Sequence, residues 1–400
     1  MHRGWSAVGL PGVVLVCTSV LMVLLWLWLP VRLDYASPYA DVTLTEGLRL
    51  RAWAGTVATL WGRSGLPGAM RPMLALNLLA WLLWLVCCLW LAARHAMGAH
   101  GRHWVVSIFW AVMLGFTAVS FNAYLGFFVD TVAAAWIALT AAACVRYTER
   151  PDWKIRVLMV VAPIMAVLTH ESSLTLWAVI VLWCVWKVGL SKTIAWFLPP
   201  AILVAAFLSL APAQSASGLP LGEYARIGLL QSWTMLGQSA NFYGILAGPG
   251  LLWVVFAHLG FVRMRQAKKM SEMWCRAALL GAMLLTTLSP LLVAYDTNRF
   301  SAALWLPVVL LASDVGGSAW NWLQVRWWWI RGCIVTMLML QMLNPPCLIY
   351  RNGIVPYNCY AWFLSQGLGK SQAGQDMAPW QLRVYSANYL TQQAGAQCVQ

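Results

Sequence analysis

In Leu168-Thr169-His170-Glu171-Ser172-Ser173-Leu174, a histidine and a carboxylate stand side by side between two apolar runs. A His beside an acid at a water-accessible edge can act as a general base or donate a hydrogen bond to a phosphate. The same residues also suit a plainer part, joining two helix ends with Ser172 or Ser173 as the N-cap of the second. A zinc-protease pattern is excluded, because HExxH needs His where Leu174 stands. The element Asp296-Thr297-Asn298-Arg299 offers a guanidinium to grip a phosphate or diphosphate, with Asp296 orienting it or acting on a sugar hydroxyl. A structural salt bridge closing that turn is the alternative. Asp130 opens another apolar run, as a dipole-favoured cap or as a site carboxylate.

These residues need a scaffold, and the composition names it. With 61% hydrophobic and 10% charged residues in 400, the chain is too apolar for a soluble domain of average usage. A span needs about 20 predominantly apolar residues. Runs near 12–31, 73–93, 104–121, 128–146, 156–170, 173–189, 193–211, 244–262, 276–295, 300–315 and 331–349 meet or approach that length. The expected fold class is therefore all-α, a polytopic integral membrane protein of about eleven transmembrane helices. Residues 1–350 form the helical bundle, and 351–400 a loosely structured tail.

The +14 net charge is spread over short loops rather than massed in one patch, so it reports topology and not nucleic-acid binding. Arg94/Arg102, Arg146/Arg150/Lys154/Arg156, Lys187/Lys192, Arg263/Arg265/Lys268/Lys269/Arg276 and Arg326/Arg331 occupy alternate loops. The positive-inside rule puts these in the cytoplasm, with the amino terminus inside and the carboxyl terminus outside. The other face then receives His170, Glu171, Asp34, Asp41, Glu46, Asp130, Glu223, Asp296 and Arg299, and two long loops near 32–72 and 212–243. Charged and ionisable groups at a membrane are costly to keep, so acids gathered on one face mark a functional site. Trp residues at span ends, such as Trp26, Trp28, Trp183 and Trp186, read as interfacial anchors.

Most cysteines fall inside apolar runs as small packing residues, and no Cys/His cluster with zinc spacing appears. Cys347, Cys359 and Cys398 lie on the outer side, where one disulfide of open pairing can form. Neither a Walker loop nor a Rossmann fingerprint is present. A metal is not called for, although Asp41, Asp130 and Asp296 could converge. An outer-face site has no ATP, so an activated donor must arrive through the membrane as a polyprenyl-linked sugar, and no redox cofactor is needed.

The long loops carry one further pattern: Arg51 to Gly62 and Arg226 to Gly237 each enclose ten residues. With about eleven spans, a His-Glu between adjacent helices, an outer Asp-x-x-Arg turn and a large outer loop, the chain resembles the Wzy and EpsG-like surface polysaccharide polymerases. Its plan is also similar to the wider GT-C membrane glycosyltransferases, although the adjacent acid pair of their first outer loop is replaced here by the separated Asp34, Asp41 and Glu46. The resemblance implies a bacterial inner-membrane enzyme joining undecaprenyl-diphosphate-linked repeat units, with a chain-length regulator or flippase as partner. It further implies His170 or Glu171 as base, Arg299, Arg51 and Arg226 on the diphosphate, and Asp296, Asp130 and Asp41 on sugar hydroxyls. Two other readings stand beside it. One is a GT-C-type transferase using a polyprenyl-phosphate donor. The other is a transporter or flippase, which predicts charge near mid-span, where this chain has almost none.

Overall fold

The computed structural model describes residues 66–93, 130–210, 252–292 and 302–314, with short pieces at 31–32, 56–57, 60, 226, 229–230, 245–246, 249–250, 347–350, 353–356 and 384–385. Helices dominate them: α1 (Leu66–Ala93), α2 (Asp130–Glu149), α3 (Trp153–Thr169), α4 (Ser173–Val188), α5 (Leu190–Leu210), α6 (Leu252–Arg265), α7 (Met270–Leu288) and α8 (Trp305–Asp314). Among the described residues, four stretches are long and apolar enough to cross a membrane: Ala75–Ala92, Asp130–Glu149, Leu190–Ser209 and Met270–Leu291. The runs expected near 12–31 and 104–121, and most of 331–349, lie outside the described residues.

From α2 to α5 the chain goes up and down with minimal connections, 150–152, 170–172 and Gly189 alone. Each stop has a local cause. Asp152 caps α3 by accepting the Lys154 amide at 2.9 Å. Gly189, at φ 86°, donates its N–H to Val185 O and turns the chain in one residue, a left-handed conformation that a Cβ would disfavour. Pro163 in α3 and Pro199–Pro200 in α5 remain inside helices, as membrane helices tolerate.

Two helix starts differ from the expected boundaries. α1 begins at Leu66 rather than near 73, because Pro67 is well placed in a first turn, whose N–H groups have no partner anyway. α7 begins at Met270 rather than near 276, because Glu272 accepts the Lys268 amide at 2.9 Å and thereby starts the helix early. Arg276 is consequently a helical residue, not a loop residue. Beside the helices, the described residues include four short strands. β1 (Val31–Arg32) pairs in parallel with β4 (Val384–Tyr385), setting the chain after the first apolar run beside the tail. β2 (Cys347–Tyr350) and β3 (Gly353–Pro356) form an antiparallel hairpin, so Cys347–Ile349 are extended rather than the end of a last helix.

Packing follows residue size. α2, rich in alanine, packs against α1, α3 and α4, and 67% of its length is buried. Small side chains let membrane helices approach closely, where van der Waals contact replaces the hydrophobic driving force available in water. α5 is as apolar but bulkier on its outer face; only 22% is buried, and Leu198, Ile202 and Leu203 are exposed. α8 is covered on every side, from Leu304 to Ser313, and Trp305 meets Trp84 of α1 edge-on at 5.4 Å between ring centres. Hydroxyls inside these helices bond back to their own turn, Thr140 to Trp136 O, Thr287 to Met283 O and Ser313 to Leu310 O.

Candidate active site

Because α2 and α3 run antiparallel, the first residue of α2 and the residue after α3 meet at one end of the bundle. His170 leaves the helix with extended backbone (φ −155°, ψ 126°), yet its N–H still donates to Ala166 O at 2.9 Å. The imidazole is thereby held inward, with its side chain 4% exposed. Its Nε2 lies 3.9 Å from Asp130 Oδ1, and its Nδ1 lies 3.8 Å from Glu171 Oε2. One ring is thus flanked by carboxylates at both nitrogens. Glu171 is the more open of the two acids, at 27% exposure against 15% for Asp130.

Ser172 decides the ring's hydrogen pattern. It occupies the N-cap position of α4 but makes no side-chain cap bond; its Oγ instead lies 2.8 Å from His170 Nδ1, and its backbone N–H donates to the same nitrogen at 3.2 Å. A backbone N–H can only donate, so Nδ1 accepts, and the neutral ring carries its proton on Nε2, facing Asp130. Protons enter or leave Nδ1 only by displacing the Ser172 amide or by passing through the Ser172 hydroxyl. Two more hydroxyls, Thr131 and Ser173, are 1% exposed at the starts of α2 and α4, and their side-chain oxygens have no hydrogen-bond partner among the described residues. Buried polar atoms are ordinarily bonded, so this end retains capacity for water or a polar ligand.

Of the residues singled out in the sequence, the fold brings together His170, Glu171 and Asp130. Arg226 is exposed, in a short helical piece of the connection between α5 and α6. Arg51, Asp41, Asp296 and Arg299 lie outside the described residues. Sequence reasoning missed the turn of the Ser172 side chain toward His170, taking Ser172 or Ser173 as a simple cap. Its only trace was the i, i+2 spacing, which fits either arrangement. Comparison with protein-family models, with curated proteins and with solved structures finds no match to this chain.

Proposed function

We propose that the chain is a membrane-embedded glycosyltransferase whose chemistry takes place at the His170 end of the bundle. The observation that carries this reading is the buried imidazole between Asp130 and Glu171, at the end of α2, a helix long and apolar enough to span a bilayer. More narrowly, we take it as a surface polysaccharide polymerase of the Wzy or EpsG-like kind, acting on the outer face of a bacterial inner membrane. The placement outside rests on charge: Lys187, Arg263, Arg265, Lys268, Lys269 and Arg276 gather at the opposite end, where the positive-inside rule expects the cytoplasm.

In this mechanism the acceptor hydroxyl oxygen attacks the anomeric carbon of the donor, and the bond to the diphosphate oxygen breaks. The hydroxyl proton goes directly to Glu171, or to His170 Nδ1 through the Ser172 hydroxyl. Asp130 opposite Nε2 holds the ring in its tautomer and faces the charge that develops when the ring gains a proton. Arg299, Arg51 and Arg226 neutralise the departing polyprenyl diphosphate, and Asp296 and Asp41 orient sugar hydroxyls. The partners are the undecaprenyl-linked glycan and, for polymer length, a regulator or flippase.

The test compares cells carrying no copy, the unsubstituted chain or His170→Ala, by gel length distribution of surface glycan and quantified lipid-linked intermediates. Single repeat units accumulating in the null and in His170→Ala support the polymerase. Failure to assemble the lipid-linked repeat points to a transferase adding one sugar from a polyprenyl-phosphate donor. Full-length polymer from a normally inserted His170→Ala protein removes the proposal.

A further inference from the structure

At the end of the bundle opposite His170, α4, α6 and α7 border an open cavity of about 490 Å³ lined by Trp186, Lys187, Arg263, Glu272, Cys275, Arg276 and Leu279. Its cations are organised rather than scattered. Arg263 lies over the Trp186 ring, 4.7 Å from its centre, which fixes the guanidinium plane. Arg276 donates from Nη1 to the backbone O of Arg263 at 2.6 Å, which ties the start of α7 to the end of α6, and both arginine residues line the cavity. Their side chains are only 15% and 13% exposed. Behind the cavity, Asp314 at the end of α8 pairs with Lys187 and, at 3.2 Å, with Arg263 Nε. Glu272 pairs with Arg276 and also accepts the Lys268 amide.

Among the described residues, Asp314 and Glu272 face Lys187, Arg263 and Arg276, and Arg265, Lys268 and Lys269 on the adjoining turn add further positive charge. Like charges drawn to one recess repel each other, and a further anion beside Arg263, Arg276 and Lys187 relieves that repulsion. The N-terminal end of α7, with its partial positive charge, opens at the same place. The volume exceeds what a bare phosphate fills, given that one water takes about 30 Å³. Trp186 and Leu279 supply an apolar wall beside the charges.

We infer that this cavity is a binding site for a phosphate group, gripped by the guanidinium groups of Arg263 and Arg276 with Lys187 beside them. Such chemistry is found in an anionic phospholipid headgroup and in free phosphate or diphosphate; basic pockets between membrane helices are of the kind that take lipid headgroups. The site is separate from the His170 end, and it does not depend on the glycosyl-transfer reading.

Cys275 lines the cavity and is exposed, whereas Cys87, Cys88, Cys144 and Cys184 are buried, so the protein carries its own reporter. The full chain is placed in phosphatidylcholine nanodiscs, alone, with phosphatidylglycerol, or with added inorganic phosphate or pyrophosphate. Alkylation of Cys275 by an uncharged maleimide is then followed by peptide mass spectrometry. Several-fold slower labelling with phosphatidylglycerol alone supports a lipid headgroup. Slower labelling with phosphate or pyrophosphate in neutral nanodiscs supports a soluble ligand. Unchanged labelling in every arm of the unsubstituted protein overturns the inference. Protection that persists undiminished in Arg276→Gln, with Cys144 and Cys184 still unreactive as proof of folding, overturns it equally. Arg265→Gln, outside the cavity, should retain protection.

Discussion

At the His170 end, ring, carboxylate and hydroxyl come from three consecutive residues, His170, Glu171 and Ser172, and one side chain, Asp130, arrives from another helix. At the opposite end, Lys187, Arg263, Arg276, Glu272 and Asp314 come from four helices, and every pair except Glu272–Arg276 joins different ones. The ends of α4 are about 24 Å apart at 1.5 Å rise per residue, so neither cluster reaches the other. A site made mostly from one turn can keep its geometry while neighbouring helices shift. A network among four helices spends its charges on holding those helices in register. The first arrangement suits chemistry, and the second suits architecture with a recess for a ligand.

The largest effect is expected from Asp314→Asn, which leaves Lys187 and Arg263 without their shared carboxylate. Removing one partner of a buried pair costs about 3–5 kcal/mol, and the partial exposure of Lys187 puts this case toward the lower end. Thermal unfolding in mild detergent should show the loss, and an unchanged midpoint would remove the architectural reading of that end. Lys187→Met, alone and combined with Asp314→Asn, completes a cycle in which the double variant loses less than the sum of the two single variants.

His170→Ala should reverse that profile. Polymer formation falls roughly a hundredfold or more, as expected on loss of a general base, while the unfolding midpoint moves little. A large stability loss would mean that His170 is mainly a joint between α3 and α4. Ser172→Ala is expected to be milder: the backbone N–H still holds Nδ1, and one hydrogen bond of about 1 kcal/mol is lost. Repeat-unit turnover with purified lipid-linked substrate should drop several-fold; a drop as deep as that of His170→Ala would make the hydroxyl obligatory for proton transfer. The smallest effect belongs to Leu203→Ala on the exposed face of α5, within about 0.5 kcal/mol of the parent. A larger shift would show that another surface covers that face.

Much of the His170 end was legible in the sequence because its contacts are local. His-Glu-Ser in a three-residue connection brings those groups together almost whatever the bundle does. That Asp130 and His170 share an end also followed from parity, since runs near 128–146 and 156–170 turn back on each other, but their pairing at 3.9 Å came only with the packing. The opposite cluster was visible only as basic loops. Nothing in the order of residues tells that Asp314 would stand between Lys187 and Arg263, since the partners are 127 and 51 positions away and meet only through helix packing. Likewise the capping by Glu272, which converts an expected loop into the first turn of α7, depends on one backbone bond that composition does not reveal.

Apolar content was enough to determine a helical chain with helices long and apolar enough to cross a bilayer, because hydropathy acts residue by residue. Which helices lie inside was a matter for the tertiary structure alone. α5 and α8 are both apolar around their whole circumference, yet α8 is enclosed and α5 presents leucine and isoleucine outward. In a lipid solvent burial brings little hydrophobic gain, so shape complementarity, as between Trp84 and Trp305 or along the alanines of α2, selects the interior.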